Sequence, residues 1–129
     1  MTHSITLRVY YEDTDLAGIV YYANYLKFIE RGRTEWVRDL GIDQRHLRDS
    51  QGLVFAVRHL EADYLRPAKF DDLLRVETRV LRVTGARIVL AQEIFRAAEM
   101  IFATTVTLVC LTATGRPARL SKALAALMA

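Results

Sequence analysis

The residues best placed to do chemistry lie early in the chain, in the stretch YYEDTDLAGIVYYANY at residues 10–25. Three acids, Glu12, Asp13 and Asp15, precede Gly18, and from about Tyr22 the apolar residues recur at helical spacing. The first amides of a helix have no acceptor within it, and its N-terminus carries about half a positive charge. That end is a donor site for an anion, or for a carbonyl oxygen turning into an oxyanion. A carboxylate beside it can serve as general base or as nucleophile toward the same carbonyl. Gly18 would let the backbone pass close to a ligand with no Cβ in the way. Acid, glycine and helix start together suit acyl transfer. An Asp ahead of a helix is more commonly a cap or a solvated charge, and Glu12 and Asp13 read equally well as solubilising acids. Spacing alone leaves both readings of Asp15 open.

The elements that must position these residues are legible in the hydrophobic pattern. Residues 5–10, ITLRVY, have the β-branched and aromatic character of a first strand. After the acidic turn, Tyr22, Tyr25, Leu26, Ile29, Arg33, Trp36, Val37 and Leu40 form one helical stripe, with Gly41 as a left-handed stop. Residues 42–52 read as a polar connection. Strand-like runs follow at about 53–65, 73–83, 86–97 and 100–112. In LLRVETRVLRV, Leu74, Val76, Thr78 and Val80 share one face and Arg75, Glu77 and Arg79 the other. VTGAR and RAAEM are short enough for hairpin connections, and Gly85 sits where a positive φ would help. Pro67 marks a bend, and the last long strand is apolar on both faces, as if covered on both sides. A short helix is expected to begin near Leu120. One strand, one long helix and four more strands make an α+β domain, an antiparallel sheet with a helix packed on one face.

Composition narrows the function class. A chain of 129 residues is one domain. Its hydrophobic fraction of 52% is high for so small a monomer, so oligomerisation is a natural outlet for the excess. The net charge is +3, and the arginines are dispersed rather than gathered in a patch, which argues against a nucleic-acid partner. The single cysteine, Cys110, lies in the apolar run TVTLVCLTA and reads as a buried small hydrophobe rather than a nucleophile. His3, His46 and His59 show no metal-ligand spacing and read as structural or surface residues. The opening MTHSITLRVYYED has no basic segment leading into an apolar one, and no apolar run approaches membrane-spanning length. A cytoplasmic setting is therefore expected.

The stretch RVYYEDTDLAGIVYYANYLKFIERGRTEWVRDLG (residues 8–41), with its core TDLAGIVYYANY, resembles the signature of the 4-hydroxybenzoyl-CoA thioesterase-like family. ADYLRPAKFDDLLRVET (residues 62–78) matches the same family's Tol–Pal-associated bacterial branch, so the resemblance covers essentially the whole chain. It implies a hotdog fold over residues 1–129, a five-stranded antiparallel sheet wrapped around one long central helix. It also implies hydrolysis of a short-chain aliphatic or aryl acyl-CoA to free acid and CoA, with no cofactor and no metal. The family's catalytic carboxylate falls on Asp15, the backbone N–H that polarises the thioester carbonyl falls on Tyr22, and a tyrosine of the branch falls on Tyr11. Gly18, Ile19, Val20, Tyr21 and Tyr25 are the substrate-binding candidates, the two tyrosines as walls of an acyl channel. Many members carry His where this chain has Tyr22. A backbone donor survives that change, whereas an imidazole does not. For the CoA phosphates, Arg66, Lys69, Arg87, Arg116, Arg119 and Lys122 are candidates, and Arg31, Arg33 and Glu35 read as structural helix charges. The implied partners are the acyl-CoA, an acyl-carrier protein as an alternative carrier, and further copies of the chain in a dimer of dimers. Two competing readings are a hotdog hydratase, which would need a His paired with an acid in another motif, and a non-catalytic acyl-CoA or acyl-carrier-protein binding module.

Overall fold

The computed structural model describes every residue, Met1–Ala129. Strand β1 (Thr2–Arg8) leads through a single 3-10 turn at Tyr11–Asp13 to α1 (Asn24–Asp39) and α2 (Gln44–Gln51). Then come β2 (Val54–Tyr64), β3 (Leu73–Val83), β4 (Arg87–Arg96), β5 (Glu99–Leu111), the two-residue β6 (Pro117–Ala118) and α3 (Lys122–Met128). The five long strands form one antiparallel sheet in the order β1-β3-β4-β5-β2. β6 pairs with β5 just beyond the end of β4. The sheet thus has β1 and β2 at its edges and curls around α1.

Alternation decides which face meets the helix. Leu74, Val76 and Thr78 of β3 are fully buried, as are Ile88, Leu90, Gln92 and Ile94 of β4. Phe102, Thr104, Val106, Leu108 and Cys110 of β5 continue that layer. Against it α1 presents Tyr25, Phe28, Ile29, Gly32, Trp36 and Val37. Burying a large apolar side chain contributes about 1.5–3 kcal/mol, so this single interface supplies most of what holds the helix. Gly32 sets how close the helix comes: a Cβ there would lie 2.8 Å from Val76 Cγ1. Gln92, buried beneath the helix, donates through Nε2 to Ile29 O at 2.9 Å and Thr78 Oγ1 at 2.8 Å. Its Oε1 accepts from Arg33 Nη1 at 3.0 Å, so the buried amide leaves no polar atom unmatched.

Several expectations are corrected. The helix starts at Asn24, leaving Tyr22 in the turn before it, and Phe28 rather than the exposed Leu26 belongs to the buried stripe. β1 runs from Thr2 to Arg8 because the chain enters the 3-10 turn directly after Tyr10. The connection at 42–52 contains α2, whose one buried residue, Leu47, gave no visible period. Asp43 caps it, accepting from the His46 amide at 3.0 Å, and Gly52 ends it at φ 66°. Gly85 does not take a positive φ; a Cβ there would meet only the guanidinium end of the exposed Arg119 side chain. The second face of β5 is only half covered in one chain, with Ala103, Thr105, Thr107 and Val109 partly exposed. The sheet carries the short β6 beside its five long strands. Gly41 stops α1 at φ 84°, and Ser121 caps α3 by accepting from the Leu124 amide.

Candidate active site

The loop between the 3-10 turn and α1 is pinned from several sides. Asp13 organises its entry: its carboxylate accepts from the Tyr10 amide at 2.8 Å, so this acid caps the turn. Its carbonyl accepts from the Tyr21 amide and from Asn24 Nδ2, each at 2.9 Å. The start of α1 is thereby clamped two residues ahead of Asp15. Between the clamps the chain makes a small reversal. The Asp15 amide donates to Ile19 O at 2.9 Å, and the Gly18 amide donates to Asp15 O at 3.0 Å. Gly18 sits at φ 80° with nothing within 4 Å of a built Cβ. The glycine is required by the turn's left-handed conformation rather than by close approach.

Asp15 itself is exposed, with Oδ1 accepting from the Ala17 amide at 2.9 Å and Oδ2 engaged by no group of the chain. Ahead of α1, the amides of Tyr22 and Ala23 donate to no acceptor in the protein. These are helix-start donors of the kind that hold an anion or an oxyanion. One carboxylate oxygen and two amides are therefore unengaged on adjoining segments held together through Asp13.

The remaining candidates separate. Tyr21 and Tyr22 are exposed, the latter at 62%, with ring centroids 5.0 Å apart. Tyr11 is exposed and lies edge-on to Phe70 at 6.5 Å. Ile19 is half-buried and bridges Lys69, while Val20 is buried and donates its amide to Ala68 O at 2.9 Å. Tyr25 is only 3% exposed, stacked on Phe102 at 5.0 Å, and its hydroxyl accepts from the Ala68 amide at 3.0 Å. Within one protomer Tyr25 latches the 65–70 loop onto α1 and has no free ring face for an acyl group. Burial raises its phenol above the ordinary value, against the opposing pull of the Ala68 amide.

That loop is fixed from below as well. Arg96 donates to Pro67 O at 3.0 Å, to Asp72 Oδ2 at 2.8 Å and to Glu99 Oε1 at 2.8 Å. Burial pushes the Asp72 carboxyl up, but the Lys69 amide and the Arg96 guanidinium outweigh it and hold it below the usual range. Of the phosphate candidates, Arg66 and Lys69 stand on this loop beside Ile19, Arg66 with its Nε 3.5 Å from Glu99. Arg87, Arg116 and Arg119 gather instead where β4 and β6 meet the far end of β5, and Lys122 opens α3 just beyond. Cys110 is buried, and burial pushes its thiol up. His3 lies 2.7 Å from Asp39, and His59 lies 3.3 Å from Glu61, both away from this loop.

Two residues with no sequence signal of their own enter the site. Asn24 is the clamp on Asp13 O. Tyr64, at the end of β2, donates its hydroxyl to Tyr22 O at 3.0 Å. The ring of Tyr64 also packs edge-on against Tyr25 and Phe102, at 5.5 and 4.9 Å. Only the three-dimensional path of the sheet brings it beside the helix start.

Comparison with known proteins places this geometry. The sequence profile of the thioesterase superfamily matches residues 17–103, beginning just after Asp15 and taking in Gly18, the Tyr22 turn and Tyr64. The acyl-CoA thioesterase YbgC of Haemophilus influenzae is 49% identical over 107 residues, which is 83% of this chain and 79% of that protein. The acyl-CoA thioester hydrolase YbgC of Escherichia coli is 41% identical over 91 residues, 70% and 67% of the two chains. A probable thioesterase from Bartonella henselae superposes with a TM-score of 0.89 at 40% identity, covering 94% of this chain and 100% of that one. The 4-hydroxybenzoyl CoA thioesterase solved with 4-hydroxybenzoyl CoA superposes at 0.92 over 99% of both chains, and at 18% identity it speaks to the fold alone. The sheet wrapped on α1 is thus the hotdog, and the chain belongs to the thioesterase superfamily.

Proposed function

We propose that this protein is an acyl-CoA thioesterase in which Asp15 drives hydrolysis and the Tyr22 amide holds the oxyanion. The observation that carries the reading is the pair of unpaired amides ahead of α1, on a turn clamped through Asp13 to the loop whose carboxylate keeps one free oxygen. The thioester carbonyl oxygen accepts from those amides. As the carbonyl carbon becomes tetrahedral its oxygen gains charge, and each well-placed donor contributes about 3 kcal/mol toward holding it.

Asp15 acts in one of two ways. As general base it takes a proton from water while the hydroxide adds to the carbonyl carbon, and the carbon–sulfur bond then breaks with the proton passing to the CoA sulfur. As nucleophile it forms a mixed anhydride with loss of CoA thiolate, and water then cleaves the anhydride to regenerate the carboxylate. In a single turnover in heavy-oxygen water, label appearing in Asp15 marks the nucleophilic route with water attacking the Asp15 carbonyl of the anhydride, whereas attack at the acyl carbonyl labels the acid as the general-base route does. Tyr22 brings no imidazole, so its contribution is its amide, with Tyr11 and Tyr21 as exposed rings flanking the substrate.

Asp15 is exposed in one protomer, and a thioester site works best when water is limited. The reading therefore includes a second copy completing the wall. β2 is an unpaired edge with Val57 and His59 exposed, and the outer sheet face carries the partly exposed Ala103, Thr105, Thr107 and Val109. A dimer joined at one surface and doubled at the other covers both. Arg66 and Lys69 are the phosphate ligands offered by the protomer that supplies Asp15. The acyl group arrives on CoA, with an acyl-carrier protein as an alternative carrier. No helix is long and apolar enough to cross a membrane, and we place the enzyme in the cytoplasm.

The test is thiol release from a panel of aliphatic and aryl acyl-CoAs, read with a chromogenic thiol reagent, together with the native mass. Release by an oligomer is expected. Tight binding without release by any member of the panel would overturn the hydrolase reading in favour of a binding module, and a native mass near that of one chain would overturn the shared wall.

A further inference from the structure

The carbonyl of Tyr22 occupies an unusual position. In a continuous helix it would accept from the amide four residues on, at Leu26. Here the Leu26 amide donates instead to Ala23 O, at 3.2 Å, and no backbone amide reaches Tyr22 O. Its one hydrogen-bond donor is the hydroxyl of Tyr64, at 3.0 Å. That carbonyl belongs to the same rigid peptide unit as the Ala23 N–H, and it shares a Cα with the Tyr22 N–H. Whatever fixes the orientation of the Tyr22–Ala23 peptide therefore fixes where the Ala23 N–H points, while the Tyr22 N–H belongs to the preceding peptide, whose carbonyl is held by the Asn24 amide.

The other ties of this turn lie at its two ends. Tyr21 donates to Asp13 O, and Asn24 donates to Tyr21 O at 2.8 Å and to Asp13 O through its side chain. Nothing but Tyr64 holds the middle. The half-exposed phenol is packed on one side, its ring meeting Tyr22, Tyr25 and Phe102 with centroids 6.2, 5.5 and 4.9 Å away. It also reaches the turn from the last residue of β2, so the register of the sheet is transmitted to the donors.

We propose that Tyr64 is a positioning residue for the oxyanion site: its hydroxyl, by holding Tyr22 O, orients the Ala23 amide toward the thioester carbonyl as a second donor beside the Tyr22 amide. The proposal rests on the thioesterase reading and adds to it a residue that does not touch the reacting atoms. A neutral hydrogen bond to the carbonyl end also polarises the peptide, making the Ala23 N–H a better donor.

The test is Tyr64→Phe, which keeps the aromatic packing and removes only the hydroxyl. A misplacement of about 1 Å in a catalytic group costs about 100-fold in rate, so for the smaller shift expected here kcat should fall about 10-fold with KM within about twofold. Loss of folded protein would lower kcat for every substrate alike. The decisive readout is therefore the ratio of rates for an acyl-CoA and its dithioester analogue, whose C=S is a poorer acceptor from amide donors. The ratio is expected to shrink in Tyr64→Phe and to remain at the wild-type value in Thr34→Ala, a change farther along the same helix at a hydroxyl that bonds Glu30. Wild-type kcat, or an unchanged ratio, in Tyr64→Phe overturns the proposal. A substrate-independent measurement separates this outcome from failure of the thioesterase reading. Amide hydrogen exchange at Asn24 is expected to accelerate in Tyr64→Phe while Thr104 in the sheet stays protected, and unchanged exchange at Asn24 overturns the proposal even if no acyl-CoA is turned over.

Discussion

Replacing Tyr25 by Phe separates two roles that the sequence left side by side. The stack on Phe102 and the edge contact with Phe28 survive the change, because the ring is retained. What disappears is the oxygen that accepts from the Ala68 amide, and Ala68 is completely buried. A buried N–H left without an acceptor costs about 1–3 kcal/mol. Unfolding entropy of about 2.1 cal/mol/K per residue gives about 0.27 kcal/mol/K for a chain of 129 residues. The melting temperature should accordingly fall by about 4–11 °C, compared at equal protomer concentration because assembly adds its own stabilisation. Ala68 O holds the Val20 amide, so the loosened loop should reduce turnover for all acyl chains in similar proportion. Scanning calorimetry and a chain-length series read both effects. An unchanged melting temperature together with an altered chain-length preference would refute the latch and return Tyr25 to the acyl channel.

Two further substitutions test other contacts. Gly32→Ala should destabilise by about 1–3 kcal/mol despite alanine's better helix propensity, because its Cβ meets Val76 Cγ1 at 2.8 Å and Gln92 Nε2 at 3.3 Å; denaturant unfolding checks it. Asp72→Asn should lower the melting temperature at neutral pH. Because the folded carboxyl titrates below its unfolded value, wild-type Asp72 contributes stability above about pH 4 that is lost as the pH falls through the depressed value, so the gap between the two proteins should close in acid. A gap independent of pH would contradict the Arg96 and Lys69 contacts as its cause.

The parts of this molecule that were legible beforehand are those written in local pattern. The long strands followed from alternation, the helix from its stripe, and its end from Gly41. The acidic turn before α1 stood out because Asp15 and Gly18 directly precede the one long helical stripe. What escaped depends on residues distant in the chain. Helix α2 buries only Leu47, too little to mark a period. Gly32 and Gln92 fit one another across the helix–sheet interface, a contact that no local pattern announces. The start of α1 slipped by two residues because Tyr22 continues the apolar spacing, while the clamp on Asp13 O delays the first helical turn. Tyr64 lies 42 residues from the carbonyl it holds, and no spacing rule spans that separation.

The roles of the three acids also became distinct only in three dimensions. Asp13 is spent on the turn, its side chain on the Tyr10 amide and its carbonyl on the helix start. Asp15 keeps one oxygen free beside unpaired amides. Asp13 is thus engaged in the turn, while Asp15, two residues on, keeps an oxygen available for the chemistry proposed for it, and that division makes a single substitution informative.

The most direct measurement is the single-turnover rate of thiol release by Asp15→Asn, made on a sample whose native mass and melting temperature match the wild type. The amide of asparagine neither deprotonates water nor attacks a thioester, so the account expects the rate to fall by about 1,000-fold or more while acyl-CoA still binds. Thiol release within about tenfold of wild type from that folded variant would contradict the account, because a carboxylate at Asp15 would then contribute far less than a general base does.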